Sequence, residues 1–264
     1  LITLSAKQVS AKKIDLTFED TQSYWMNVSK QMSEFIGDAQ IDTALILGVG
    51  ISSPDKIHSE IETKSDELAK IFGFDVEIGN DVKMAALTQV WSRIEPAPAV
   101  YVSLDKEVGG AIIAGVPDIF YGAEQAGQFG HMTVINDGNQ CGCGQKGCFD
   151  AHCSMKQLEK ESGLDVASFI DQVKAADQKA ASIWDHYLDH LAIAINNLHV
   201  IFRSIIIIGG EMSKYIKEYK SELKEKLEKR NPFQTSVDYL RISDYGENDA
   251  AFGAALSRVS KFLQ

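Results

Sequence analysis

All 4 cysteines of the chain fall within thirteen residues, Cys141, Cys143, Cys148 and Cys153. Gly138, Gly142, Gly144 and Gly147 are interleaved with them, and tight turns of this kind need residues that tolerate positive φ. Thiolates packed this closely can surround one small tetrahedral centre, which makes zinc the leading reading. A disulfide pair fits less well. The start, Leu1-Ile2-Thr3-Leu4-Ser5, has no basic region and no secretion signal, and thiols in a reducing compartment stay reduced. Two ligand sets satisfy the spacing: the four cysteines, or His131 with three of them and Cys153 left over. Either set fills four positions, so the centre is closed and structural.

Charge and hydropathy bound the rest. The 264 residues carry 26 Lys+Arg against 37 Asp+Glu, a net charge of −11, which repels a phosphate backbone on average. The hydrophobic share of 45% suffices for a buried core at this length. The longest purely apolar run, Leu191–Ile195, ends at Asn196-Asn197, far short of the roughly 20 residues of a membrane helix. A soluble, cytoplasmic protein is expected, with no membrane partner. The chain opens without Met in what reads as mid-strand, so it is expected to be part of a longer polypeptide.

Strand and helix patterns alternate in both halves, which gives an α/β class. Strands are expected at Leu1–Leu4, Val9–Leu16, Ala44–Gly50, Asp75–Ile78, Val100–Leu104, Gly109–Ala114, Ile205–Ile208 and Val237–Ser243. Helices are expected at Tyr24–Ile36, Asp66–Phe72, Asp81–Trp91, Ser182–Arg203, Lys214–Lys229 and Ala250–Leu263. Two prolines in Ile94–Pro98 interrupt both patterns and mark a boundary. Glu218, Glu222, Glu225 and Glu228 interleave with the lysines of 214–229, so that segment reads as an exposed salt-bridged helix rather than a nucleic-acid patch.

The run Gly127-Gln128-Phe129-Gly130-His131-Met132, followed by Cys141-x-Cys143-Gly-x-x-Gly147-Cys148-Phe-Asp150, resembles the motif of the ROK family, which joins bacterial sugar kinases and sugar-responsive transcription regulators. Gly48-Val49-Gly50-Ile51 with Pro54, Gly79-Asn80-Asp81, Val108-Gly109-Gly110, Ile208-Gly209-Gly210 and Gly253-Ala254-Ala255 extend the likeness over nearly the whole chain. It implies an actin-like, ribonuclease H-like ATPase fold with two lobes around a ligand cleft. Residues 1–96 would form the first lobe, its first strand truncated. Residues 97–249 would form the second, with the zinc loop, and residues 250–264 a terminal helix returning to the first. The inter-lobe hinge is expected near Ile94–Ala99 and again before that helix. His131, Cys141, Cys143 and Cys148 are implied as zinc ligands. Homodimerisation is implied as well.

The resemblance also implies a sugar site of Asn80, Asp81, Gln128, His131 and Asp150. From the residues alone, Asn80-Asp81 at a strand end is first of all a helix cap. In a kinase, Asp81 would be the general base for the phosphorylated hydroxyl. His131 would serve twice, one ring nitrogen on zinc and the other on a sugar hydroxyl. Gln128 and Asp150 depart from the kinase pattern, which usually has Glu at both places, so the preferred sugar is open.

A kinase also needs phosphate-binding turns and Mg²⁺. No Asp-x-Gly-x-Thr motif occurs before Gly37, and Asp105-Lys106-Glu107 stands where kinases commonly carry Gly-Thr-Gly. Two carboxylates at that corner impair ATP binding, although the corner itself reads as a solvated hairpin tip. The reading is therefore a sugar-sensing effector domain of a regulator, which contacts DNA only through an N-terminal winged helix-turn-helix absent from this chain. The alternative is an ATP- and Mg-dependent sugar kinase.

Overall fold

The computed structural model describes residues 1–91, 98–113, 127–232, 236–244 and 246–263. The chain forms two compact units, Leu1–Ile94 with Asn248–Gln264, and Glu95–Glu247. The Ile94–Pro98 stretch read as a boundary, and Ala114 at the end of an expected strand, lie outside the described residues except for Pro98.

In the first unit, helix α1 (Gln22–Asp38) starts at Thr21, whose side chain accepts the Tyr24 N–H. Trp25 and Ile36 are its buried residues. Trp25 joins Ile61, Leu68, Phe72 and Val76 in one core, with Phe18 and Tyr24 meeting its indole edge-on. Strands β1 (Val49–Ser53) and β2 (Val76–Asn80) pair in parallel, Val49 opposite Val76 and Ser53 opposite Asn80. Between them run α2 (Asp55–Ile61) and α3 (Ser65–Phe72), and α4 (Asp81–Trp91) leaves directly from β2. The terminal helix α11 (Asp249–Leu263) packs along α4 and β1. Its small residues permit the approach: a Cβ at Gly253 would lie 1.7 Å from the Met84 carbonyl oxygen. Thr88 Oγ1 and Gln89 Nε2 donate to the Asp249 carbonyl and carboxylate at 2.7 and 2.9 Å, fixing the start of α11.

Three sequence expectations fail in this unit. Leu1–Leu4 and Val9–Leu16 are not strands: the first makes one isolated antiparallel bridge, Ile2 to Gln8, around a turn with Ala6 at φ 60, and 9–16 makes none. A ladder needs a partner strand, and among the described residues none runs beside 9–16. The strand expected at Ala44–Gly50 begins only at Val49. Asp42 caps a short 3-10 turn over Thr43–Leu45 and leaves Leu45 75% exposed, so the apolar run there is not buried. Helix α2 was not anticipated.

The second unit holds a four-stranded sheet in the order β4-β3-β5-β6. Strand β3 (Ala99–Leu104) pairs antiparallel with β4 (Val108–Ile113) and parallel with β5 (Ile205–Gly209), which is parallel to β6 (Leu240–Ile242). Val100, Val102 and Leu104 alternate toward a core shared with Leu188, Leu191 and Ile195 of the long helix α8 (Gln178–Phe202). Short helices α5 (Asp150–Cys153), α6 (Met155–Ser162) and α7 (Val166–Lys174) lead into α8, and all three escaped the sequence reading. The single helix expected at Lys214–Lys229 is two, α9 (Ser213–Glu218) and α10 (Lys220–Arg230), broken where the Tyr219 ring docks on Trp184. Among the described residues its lysines pair with residues outside it rather than with its own glutamates: Lys226 meets Asp185 and Asp189 of α8 at 2.6 and 3.2 Å. Among the described residues, no helix is long and apolar enough to cross a membrane.

Candidate functional site

The loop between β4 and α5 carries the cysteine cluster. A 3-10 turn at Phe129–His131 presents His131, and an antiparallel bridge from Thr133 to Cys148 brings the two ends of the loop together. A tight hairpin then places Cys141 and Cys143. The Cys141 N–H donates to Gln145 at 2.8 Å, the Gln140–Lys146 bridge closes it, and Gly144 and Gly147 take left-handed backbone at φ 90 and 74. As a result, one ligand atom each from His131, Cys141, Cys143 and Cys148 lies within 4.8 Å of all the others. Cys143 and Cys148 sulfurs are 3.7 Å apart, and His131 Nδ1 is 3.8 Å from the Cys141 sulfur. A zinc tetrahedron with bonds of about 2.3 Å has sulfur–sulfur edges of roughly 3.8 Å, so this donor set fits that ion. When bound, zinc here would crosslink a loop and leave no open coordination position.

Cys153 is elsewhere. It is fully buried at the end of α5, its sulfur 3.9 Å from the Tyr187 carbonyl, and burial pushes its thiol well above the usual range. It is an inert core residue.

Because Nδ1 of His131 faces the sulfurs, Nε2 points away from them, and His131 is exposed. Asp150 belongs to the same corner: its Oδ1 accepts the Val108 N–H at 2.7 Å, and Gly130, next to His131, packs against its Cβ position and the Val108 carbonyl. Half-burial raises the Asp150 carboxyl, with the Val108 hydrogen bond acting in the opposite direction. Gln128 precedes the turn, its carbonyl accepting the His131 N–H at 3.1 Å.

Asn80 and Asp81 belong to the first unit, at the junction of β2 and α4. Asn80 Oδ1 accepts the Lys83 N–H at 3.0 Å, a helix cap, and its Nδ2 donates to Asp55 at the head of α2. Asp81 Oδ1 accepts the Val82 N–H at 2.7 Å. The Asp55 contact was not read from the sequence, since its partner is 25 residues away and no local pattern announces it.

The Asp105–Glu107 corner differs from expectation. Lys106 and Glu107 are exposed, but Asp105 turns inward and its carboxylate is bonded within the protein. The expectation of a wholly solvated tip fails because the Ser103 hydroxyl and the Glu211 backbone N–H both donate to the Asp105 carboxylate.

Parallel strands carrying ligand-capable groups at their ends, together with a His/Cys₃ loop, define an α/β protein of the actin-like ATPase and sugar kinase class. The ROK family model matches residues 2–258, and the chain belongs to the ROK family. It is 25% identical over 214 residues to an N-acetyl-D-glucosamine kinase of Yersinia enterocolitica, covering 74% of this chain and 70% of that one. The fold is similar to a ROK hexokinase from Thermus thermophilus (TM-score 0.77, 19% identity, 92% of this chain and 88% of that one). It is equally similar to a ROK family transcriptional regulator, a homolog of E. coli MLC protein (TM-score 0.76, 21% identity, 97% and 73%).

Proposed function

We propose that this chain is the sugar-sensing effector module of a ROK-type transcription regulator. A zinc ion on His131, Cys141, Cys143 and Cys148 would hold the loop, and Asn80, Asp81, Gln128, His131 and Asp150 would contact a mono- or disaccharide. The observation carrying the sugar reading is the orientation of His131. With zinc on Nδ1, which lies 3.8 Å from the Cys141 sulfur, Nε2 would carry the ring N–H and donate it to a hydroxyl. Asp150, in the same corner, supplies an acceptor for a neighbouring hydroxyl. Binding without turnover is favoured by the anionic corner of Asp105 and Glu107 in place of small phosphate-cradling residues. Sugar occupancy would then be passed, within a homodimer, to a DNA-binding module outside this chain.

The second reading is an ATP-dependent sugar kinase. It is favoured by the kinase relative and by Asp81 at the head of α4, a position suited to a general base. Titration calorimetry against a panel of hexoses, N-acetylhexosamines and disaccharides, run with a coupled assay for ADP, separates the two. Saturable sugar binding without ADP release supports the sensor. Sugar-dependent ADP release that Asp81→Asn abolishes establishes the kinase. No binding to any sugar rejects both.

A further inference from the structure

In the sheet order β4-β3-β5-β6, the chain leaves β3 toward one side through the hairpin to β4 and leaves β5 toward the other side on its way to β6. The parallel pair β3–β5 is therefore a topological switch point. Beyond the carboxyl ends of such a pair lies the crevice where open α/β sheets receive ligands. Both strands end there, with Ser103 opposite Gly209. The turn after β5 offers one backbone N–H there. Gly210 has φ +77, and the Glu211 N–H is directed toward the end of β3.

The anion that accepts this N–H is supplied by the chain. Asp105 Oδ1 accepts the Glu211 N–H at 2.8 Å, and its Oδ2 accepts the hydroxyl of Ser103, itself buried, at 2.7 Å. Oδ2 also lies flat on Gly210, where a Cβ would be 2.6 Å away, so no larger residue fits beneath the carboxylate. The Asp105 carbonyl accepts the Met155 N–H at 2.9 Å, which holds the residue from the other side. Side chain and backbone are thus both committed, and the corner is a fixed lock rather than a mobile tip.

We propose that Asp105 is an internal anion occupying the β3–β5 crevice, and that it sets ligand specificity by shutting out phosphorylated molecules: nucleotides and polyphosphates find the Glu211 N–H already taken and meet like-charge repulsion. This deepens the sugar-sensor reading and rests on it for the claim that an uncharged sugar is the ligand that remains.

The test is titration calorimetry of the full chain with Mg·ATP and, separately, with tripolyphosphate. Wild type shows no saturable binding of either. Asp105→Asn keeps an oxygen for the Glu211 N–H and loses the charge, while Asp105→Gly clears the crevice. Each is expected to gain polyphosphate affinity by at least about tenfold, because a like-charge clash is removed. Saturable binding of either probe by wild type overturns the proposal. So does failure of both variants to gain. If Asp105→Gly does not fold, the asparagine variant decides alone. Sugar titrations run alongside keep the two questions apart: a wild type that binds no sugar rejects the sensor reading, whereas the polyphosphate result bears on Asp105 itself.

Discussion

The Tyr187 hydroxyl donates to the carbonyl of Cys153 at 3.0 Å, and the Cys153 thiol reaches back to the carbonyl of Tyr187 at 3.9 Å. This reciprocal, fully buried contact ties the end of α5, just beyond the His/Cys₃ loop, to the middle of α8. Trp184 stacks on the same ring at 5.0 Å and 7°. The loop is thereby mounted on the longest helix of its unit.

Tyr187→Phe is expected to cost about 1–2 kcal/mol, since it leaves the Cys153 carbonyl unpaired in the core. Urea denaturation followed by tryptophan fluorescence measures this. Metal content should not change, because no ligand is touched.

Cys148→Ser and Cys143→Ser should each lower bound zinc well below one per chain and destabilise the second unit, whereas Cys153→Ala should retain the full complement. Elemental analysis after gel filtration gives the stoichiometry. Equal zinc loss in Cys153→Ala would contradict the His/Cys₃ assignment.

Gly253→Ala is expected to destabilise the first unit by about 3 kcal/mol, since the new methyl carbon would meet the Met84 backbone and α11 must move off α4. A lowered urea midpoint with an unchanged slope is the expected result. Gly163→Ala is a control: a Cβ there meets nothing, but φ +76 still costs about 1 kcal/mol.

Acid should loosen the second unit before it protonates most carboxylates. The rings of His152 and His190 meet edge-on at 4.6 Å, and His152 Nε2 accepts the Asn139 N–H at 3.2 Å. Burial, followed by the proximity of His152 and His186, lowers His190 to about 4, and burial lowers His152 too. Asp189 pulls His190 the other way and Arg230 adds to the lowering. The unfolded chain takes up these protons near pH 6.5, while the folded chain refuses them until lower pH. Stability is therefore full above about pH 6.5 and falls toward pH 4. For a half-buried ring the His190 share is about 1 kcal/mol after allowance for solvent screening. His190→Gln should flatten the acid limb of a urea-midpoint-against-pH curve relative to wild type, and the comparison cancels any metal loss common to both.

Elements whose stability is local were legible from sequence. Thr21 before an apolar-periodic run announced α1, Asn80-Asp81 after a β-type run announced the β2–α4 junction, and the glycine-spaced cysteines announced a tight thiol-rich loop. The readings that failed share one cause. Ala44–Leu47 and Val9–Leu16 have apolar residues suited to strands, but a strand exists only where a neighbour accepts its hydrogen bonds, and the chain supplies that neighbour from Val49 onward. The lysine-rich helix reads as continuous until Tyr219 finds Trp184, 35 residues earlier.

By itself the sequence determined the α/β class and narrowed the metal loop to two ligand sets, because these depend on composition, periodicity and short spacings; its resemblance to the ROK motif implied the family and, of the two sets, His131 with Cys141, Cys143 and Cys148. Only the tertiary structure decided which ring nitrogen of His131 faces the sulfurs, that Asn80 is shared between a helix cap and Asp55, and that Asp105 turns into the crevice beyond β3 and β5. Each of those depends on a partner far away along the chain. Asp105 and Glu211 are 106 residues apart, and nothing in either neighbourhood encodes a hydrogen bond that exists only once two parallel strands lie side by side.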